Sequence, residues 1–205
     1  MIFRIINTKD NFCNEEHYRK AYNAMDNARK AKADRYRQET DKRCCVFSDM
    51  LLREMLREHY SLDAPEFYTD EKGKPHIKGD KVHFSISHSG EYVACAADSS
   101  PVGIDIEKIR TVNLPLINRV CTEEELIYVL GGNGTQNVDS ETCLRFLHLW
   151  CAKEAYLKYT GEGLAGGLKS LSFANKNGII KKPLPHISLH MCTTQKYVCA
   201  IIREA

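Results

Sequence analysis

The order of apolar and polar residues divides the chain into short extended segments and longer amphipathic ones. Short runs that are apolar throughout, or that alternate with polar residues, are typical of strands. Apolar residues that recur at helical spacing are typical of helices. The pattern predicts strands at 2–6, 83–97 (two strands joined by a turn at Ser89-Gly90), 102–106, and near 170–174, 186–191 and 196–202. It predicts helices at 14–37, 49–60, 116–130 (wholly or in part) and 144–159, the last ended by Gly161, and a turn-rich loop at 69–81.

A faint internal repeat relates the two halves of the chain. The segment EYVACAA at 91–97 resembles KYVCAII at 196–202, and in each half a helix, a loop and two strands follow one another. The repeat predicts an α+β fold of two similar lobes, each a small sheet packed against helices. We expect residues 1–101 to form the N-terminal lobe and residues 102–205 the C-terminal lobe. The alternative is a coincidence between two common strand sequences.

Composition places the chain among ordinary globular proteins. Its 205 residues are 43% apolar and 27% charged, which excludes collagen-like and extensively disordered chains. The net charge of +2 is too small to predict nucleic-acid binding. We see neither a signal peptide nor an apolar run of membrane-helix length, so we expect a cytoplasmic protein without a membrane partner. Nine cysteines without a C-x-x-C pair favour buried, reduced thiols over a zinc site.

Two acidic residues of the segment VGIDIEK, 102–108, are candidates for metal binding. Asp105 and Glu107 are two residues apart, so on a strand their side chains point to the same face. Adjacent carboxylates repel each other unless a cation lies between them, and Mg²⁺ prefers oxygen ligands of this kind. The alternative is a solvated strand end where Lys108 and Arg110 pair with the acids.

The segment WCAKEAYLK, 150–158, supplies a third acid and a lysine. Glu154 and Lys158 are four residues apart on one face of the predicted helix, which is also the spacing of an ordinary surface ion pair. If the helix packs against the sheet, Glu154 completes a site of three carboxylates. Lys158 then meets the phosphate that the metal holds.

The segment FSISHSG, 84–90, and two basic segments are candidates for phosphate binding. His88 is positioned to donate a hydrogen bond to a phosphate oxygen, whereas a Ser-His nucleophile is disfavoured because neighbours on a strand face opposite ways. Lys74, in the segment GKP, either clamps a ligand or belongs to a simple turn. The basic run from Arg29 to Arg37 either binds phosphates or is a solvated helix face.

Taken in order, the segments GKP, FSISHS, VGIDIEK, CTEEE and WCAKEAYLK resemble the 4′-phosphopantetheinyl transferases, specifically the Sfp-type branch built as a tandem pseudo-dimer. The signature of that family is G-[IV]-D-x-E followed downstream by W-[SCT]-x-K-E-[AS]-x-x-K. Here Asp105 and Lys153 are 48 residues apart, which fits the signature, and the resemblance covers essentially the whole chain.

The resemblance implies transfer of phosphopantetheine from coenzyme A (CoA) to a serine of an acyl or peptidyl carrier protein, with release of 3′,5′-ADP. It also implies bound Mg²⁺, with Mn²⁺ as the alternative, and a functional monomer. Residue by residue, it implies Asp105, Glu107 and Glu154 as metal ligands, Glu154 or Glu125 as general base, Lys158 and His88 as phosphate partners, Lys74, Pro75 and Ser87 as nucleotide contacts, and Arg29 and Lys32 as 3′-phosphate contacts.

The chain departs from the family pattern in one place. Relatives usually carry D-x-x-R-[ST], whereas residues 41–45 place Arg43 one position early, followed by two cysteines. Either Arg43 still reaches the 3′-phosphate, or Lys42 and Arg29 replace it.

An acidic carrier protein is the expected partner, and residues 108–130 are its predicted docking surface. This segment carries Lys108, Arg110 and Arg119 among apolar residues. The alternative is an ordinary packed helix and loop.

For the whole chain, the competing hypotheses are a non-catalytic CoA- or carrier-binding module and a magnesium-dependent nuclease. The nuclease is disfavoured because Lys108 faces away from the two acids on its strand and the protein lacks a strong positive field.

Overall fold

The computed structural model describes residues 1–10, 13–79, 82–131, 138–163, 167–169, 171–175, 177–179 and 184–205. The strands in these ranges are β1 Ile2–Asn7, β2 Phe67–Thr69, β3 Pro75–Ile77, β4 His83–Ser89, β5 Tyr92–Asp98, β6 Val102–Lys108, β7 Ala174–Asn175, β8 Gly178–Ile179, β9 Ile187–Thr193 and β10 Tyr197–Glu204. The helices are α1 Glu15–Ala24, α2 Asn27–Asp34, α3 Glu39–Tyr60, α4 Leu114–Val120, α5 Glu123–Leu130 and α6 Ser140–Thr160. Among the described residues, none of these helices combines the length and apolar character that crossing a bilayer requires.

Two three-stranded antiparallel sheets have the same strand order. The first runs β1-β5-β4 and the second runs β6-β10-β9, so each central strand is the last of its half. Helix α3 packs on the first sheet and α6 on the second, each through a core that includes the fully buried Leu52 or Phe146. The equal order confirms the predicted α+β fold of two similar lobes.

The two sheets meet along their inner faces. Ile104 and Ile106 of β6 pack with Ala94 and Ala96 of β5 in one buried cluster. The rings of Tyr92 and Tyr197, the residues that mark the sequence repeat, lie 5.0 Å apart between centroids. The repeated strands therefore contact each other in the folded chain.

A single glycine lets the second lobe close tightly. A Cβ built on Gly103 of β6 would lie 2.0 Å from the carbonyl oxygen of Ala155 on α6. Since that oxygen belongs to the helix backbone, only a residue without a side chain fits there. The close approach brings the acids of β6 beside the face of α6.

The predicted helix at 14–37 is wrong in one respect, because it is two helices. Asn14 caps α1 and Asp26 caps α2, each accepting a hydrogen bond from a backbone N–H of the first turn. The segment 116–130 is likewise two helices, α4 and α5, separated at Thr122, whose side chain caps α5.

Other boundaries also differ. Helix α3 begins at Glu39, earlier than predicted, because its first two turns bury residues such as Cys44 and Cys45 that give a weak helical pattern. The predicted loop at 69–81 contains β3, which pairs with β2. Near 170–174, the described residues form only the short strand β7, and residue 170 lies outside the described residues. The turn at Ser89-Gly90 is confirmed, with Gly90 at φ +58°.

Candidate active site

A pocket of about 420 Å³ lies between the two lobes. Its walls come from α2, α3, β4 and the turn before β3 in the first lobe, and from α6 in the second. Eight of the residues predicted for the site line it: Arg29, Lys32, Lys74, Pro75, Ser87, His88, Glu154 and Lys158. The fold thus gathers residues that are up to 129 positions apart in the sequence.

Asp105 lies behind the pocket wall and contacts two of the residues that line it. One carboxylate oxygen, Oδ1, accepts hydrogen bonds from Ser87 Oγ and Lys158 Nζ, each at 2.7 Å. The Lys158 ammonium also lies 2.8 Å from Ser87 Oγ. The other oxygen, Oδ2, is buried and has no hydrogen-bond partner among the described residues. A buried carboxylate oxygen without a partner is costly, so Oδ2 is suited to a cation.

Glu107 is held from both lobes. Its Oε1 accepts a hydrogen bond from the indole Nε1 of Trp150 at 3.0 Å, and its Oε2 accepts one from Ser89 Oγ at 2.8 Å. Arg110 lies farther away, with its Nε 3.8 Å from Oε2. Burial raises the pKa of Glu107 above its ordinary value, and the negative charge of Asp105 adds to this.

Glu154 is the third acid of the predicted metal site and lines the pocket. Burial raises its pKa, and the negative charge of Asp105 raises it further. Within the described ranges, no three His, Cys, Asp or Glu side chains are arranged so that they could bind one metal ion together. Asp105 suits a divalent cation in its chemistry, since its Oδ2 is buried without a partner in the described part of the chain and its charge repels those of Glu107 and Glu154. The described acids are not preassembled around one point, and Asp105, Glu107 and Glu154 remain the predicted ligands.

His88 and Lys74 lie in the pocket wall, and each loses its proton more readily than in water. Burial lowers the pKa of His88 below its ordinary value, and its ring and the Tyr36 ring form a T-shaped pair with centroids 6.0 Å apart. Burial also lowers the pKa of Lys74. The Lys74 ammonium donates to the carbonyl oxygen of Tyr159 at 2.8 Å, near the end of α6, so it links the first lobe to the second. Pro75 follows Lys74 and begins β3.

The structure does not bring Arg43 to the pocket. Its guanidinium donates to the carbonyl oxygen of Cys13 and to Glu15, and it lies 5.0 Å from the centroid of the Tyr18 ring. Cys45, two residues later on α3, does line the pocket. Arg43 therefore lies on a different face of its helix.

Glu125 is also away from the pocket, inside the second lobe. Its carboxylate accepts hydrogen bonds from the backbone N–H groups of Thr122 at 2.7 Å and Phe173 at 2.9 Å. It forms a buried ion pair with Lys153 at 2.9 Å. These contacts complete the cap of α5 and tie it to α6. Of the two general-base candidates, only Glu154 lies in the pocket.

Several contributing residues were not predicted from the sequence. Tyr36, Cys45 and Ser48 line the pocket, and Ser89 holds Glu107. A local signal existed for Ser89, which lies two residues after Ser87 and therefore on the same face of the strand.

Comparisons with known proteins agree along both halves of the chain. The family model described as the 4′-phosphopantetheinyl transferase superfamily matches residues 101–202, and the model for the N-terminal part of a 4′-phosphopantetheinyl transferase matches residues 13–100. The 4′-phosphopantetheinyl transferase Sfp of Bacillus subtilis (strain 168) is 35% identical over 161 residues, which cover 77% of this chain and 70% of that protein. A further 4′-phosphopantetheinyl transferase of Bacillus subtilis is 34% identical over 166 residues, or 79% of this chain and 72% of the relative.

The duplicated lobes, the pocket between them and these matches define a group-transfer enzyme. The chain belongs to the Sfp-type 4′-phosphopantetheinyl transferases.

Proposed function

We propose that this enzyme moves the 4′-phosphopantetheine group of CoA to a serine hydroxyl of an apo acyl or peptidyl carrier protein and releases 3′,5′-ADP. One observation carries the proposal: a single pocket combines the cations Arg29 and Lys32 with Glu154 and with Lys158, whose ammonium pairs with Asp105. Cations from the first lobe suit the phosphates of a nucleotide. Lys158 and Glu154 of the second lobe line the same pocket, which supports phosphoryl transfer there.

The proposed reaction is an in-line displacement at the β-phosphorus of CoA. The carrier serine oxygen forms the new bond to phosphorus, and the bond from phosphorus to the bridging oxygen breaks. That oxygen leaves with the electron pair as part of 3′,5′-ADP. Glu154, which lines the pocket, takes the serine proton.

The phosphate oxygens require positive partners as charge develops. Lys158 is fixed by Asp105 and Ser87, so its ammonium is already oriented before substrate binds. His88 lies in the same pocket as a hydrogen-bond donor to phosphate. A divalent cation, Mg²⁺ or Mn²⁺, held by Asp105, Glu107 and Glu154 would neutralise charge on the pyrophosphate.

We propose that the carrier protein docks at 108–130, with the contact centred on α4. Lys108 is less suited to binding an acidic carrier, because its ammonium already pairs with Glu91 at 2.8 Å. Arg110 and Arg119 remain exposed for an acidic partner, and Ile127 of α5 is an apolar anchor, 52% exposed. Helix α5 begins with exposed acids at Glu123, which would repel an acidic partner. We therefore expect the acidic face of the carrier to contact the arginines instead.

Intact-mass spectrometry of an apo carrier protein tests the reaction. Incubation with this enzyme, CoA and Mg²⁺ should add one phosphopantetheinyl group to the carrier, and EDTA or Asp105→Ala should abolish the gain. CoA binding without mass gain across acyl and peptidyl carriers would favour a non-catalytic binding module. Absence of both CoA binding and mass gain would overturn the assignment of the pocket.

A further inference from the structure

A buried carboxylate that the proposed reaction does not use lies directly behind the pocket. Asp49, on α3, is only 1% exposed. Its Oδ1 accepts a hydrogen bond from Arg29 Nε at 2.9 Å, and its Oδ2 accepts one from Arg53 Nε at 2.7 Å. Each oxygen therefore has a cationic donor, which is the arrangement that makes a buried charge tolerable.

The same network fixes the start of α2, the helix that carries Arg29. Asp26 caps α2 by accepting a hydrogen bond from the backbone N–H of Arg29 at 2.8 Å. Its second oxygen pairs with Arg53 at 3.1 Å. The backbone and the side chain of Arg29 are thus both held, the first by Asp26 and the second by Asp49.

The contact with Asp49 uses only one part of the Arg29 guanidinium. A guanidinium carries five N–H donors in a planar fork, so it can bind one acceptor through Nε and a second through its terminal amino groups. Arg29 lines the pocket together with Lys32 and Ser48, the neighbour of Asp49 on α3. Asp49 accordingly anchors the inner part of a side chain whose charged end is available to a ligand.

We propose that Asp49 is a positioning residue, which holds the Arg29 guanidinium in the orientation that receives the 3′-phosphate of the bound nucleotide. The inference rests on the proposed function, because it requires CoA to occupy this pocket. A long side chain that is already immobilised loses less conformational freedom when it binds a ligand. Asp49 also has an opposite effect, since its negative charge weakens the attraction of Arg29 for an anion. The proposal is that orientation outweighs this charge effect.

The test compares CoA with dephospho-CoA, which lacks the 3′-phosphate, by isothermal titration calorimetry. We expect Asp49→Asn to weaken CoA binding about three- to tenfold, as loss of one immobilised side chain predicts. Binding of dephospho-CoA should change little, so the preference for CoA falls. A merely structural defect would weaken both ligands alike.

Asp34→Asn is the matched control. Asp34 also links α2 to α3, through an ion pair with Lys42 at 2.8 Å, but its side chain is half exposed and does not contact Arg29. This variant should keep the wild-type preference for CoA. If Asp34→Asn reduces the preference as much as Asp49→Asn does, general loosening of α2 explains the result and the proposal is overturned.

A second variant keeps the proposal testable if Asp49→Asn fails to fold. Arg29→Lys retains the positive charge and the partner charge of Asp49, but a lysine ammonium has no fork with which to bind Asp49 and a phosphate at once. We expect Arg29→Lys to lose the CoA preference to the same extent, and the double variant Arg29→Lys/Asp49→Asn to lose no more than either single variant.

Several outcomes would reject the inference while leaving the proposed function intact. Unchanged or tighter CoA binding by Asp49→Asn, with normal carrier modification by the wild type, would show that Asp49 is only a counter-charge. Full retention of the CoA preference by Arg29→Lys would have the same meaning. If the wild-type enzyme itself does not bind CoA, the proposed function fails, and the inference fails with it.

Discussion

The indole N–H of Trp150 donates a hydrogen bond to Glu107 over 3.0 Å, while Ser89 of the other lobe binds the second oxygen of the same carboxylate. The helix α6 and the strand β4 therefore orient one acid together. Trp150 is also the only tryptophan of the chain. The emission of a single indole consequently reports on the carboxylate that we propose as a metal ligand.

Addition of Mg²⁺ or Mn²⁺ should change the intrinsic fluorescence of the wild-type protein. A cation that binds Glu107 alters the charge on the acceptor of the Trp150 hydrogen bond. Titration of the metal while tryptophan emission is recorded measures the effect. Asp105→Ala, which keeps the contact between Trp150 and Glu107, should give no saturable change. Metal-dependent transfer by a wild type whose emission stays constant would contradict the assignment of Glu107 as a ligand.

Gly103→Ala should destabilise the protein by about 3 kcal/mol or more, because the new methyl group would overlap the backbone oxygen of Ala155. Urea unfolding of the purified variant measures the loss. Gly79→Ala is the control: Gly79 has φ +73°, and a Cβ there meets nothing within 4 Å, so only backbone strain of about 1–2 kcal/mol is expected. Equal losses for the two variants would show that the approach of β6 to α6 is less tight than the structure has it.

Glu125→Gln should cost stability rather than catalysis. The substitution leaves the buried Lys153 ammonium without its charged partner, and breaking such a pair costs about 3–5 kcal/mol. The measurements are the free energy of unfolding and the transfer rate per folded molecule. The rate should remain close to wild type, whereas Glu154→Gln should lose most of it. A stable Glu125→Gln protein with no transfer activity would instead make Glu125 the general base.

Binding of adenosine 3′,5′-bisphosphate should be accompanied by proton uptake at His88. Burial keeps the pKa of this ring low, so it is neutral at about pH 7 before the ligand binds. A neighbouring phosphate favours the imidazolium and raises the pKa. Between the free and bound pKa values, the affinity therefore rises as the pH falls.

Calorimetry in buffers with different ionisation enthalpies measures that uptake. The phosphate itself releases protons on binding, so the quantity of interest is the difference between the wild type and His88→Gln. The difference should be a net uptake by the wild type. Identical proton exchange in both proteins would show that His88 does not meet a phosphate.

Local rules of the sequence predicted which of the candidate acids and lysines share a face. Strand alternation predicted that Asp105 and Glu107 share a face, and helical spacing predicted the same for Glu154 and Lys158. The capping box of Thr122 and Glu125 is also a local pattern, since a threonine three residues before a glutamate marks a helix start. That pattern indicates a structural role for Glu125.

Which face of a helix meets a pocket is a tertiary property. Cys45 and Ser48, three residues apart, share the face of α3 that lines the pocket, whereas Arg43 is two residues from Cys45 and so lies roughly 200° around the helix. The partnership of Asp49 with Arg29 joins two helices across 20 positions. Neither relation follows from composition or spacing alone.

Because the two sheets have the same strand order, each residue of one sheet can be matched to a residue of the other through the strand pairings. With Tyr92 matched to Tyr197, the sites of Asp105 and Glu107 on β6 correspond to Arg4 and Ile6 on β1. The ancestral half of such a duplication, paired with an identical copy, would present every residue twice. The two strands differ in chemistry, because β6 carries the two acids whereas β1 carries Ile6 and Arg4, which pairs with Glu58. We therefore expect one bound ligand per chain rather than two.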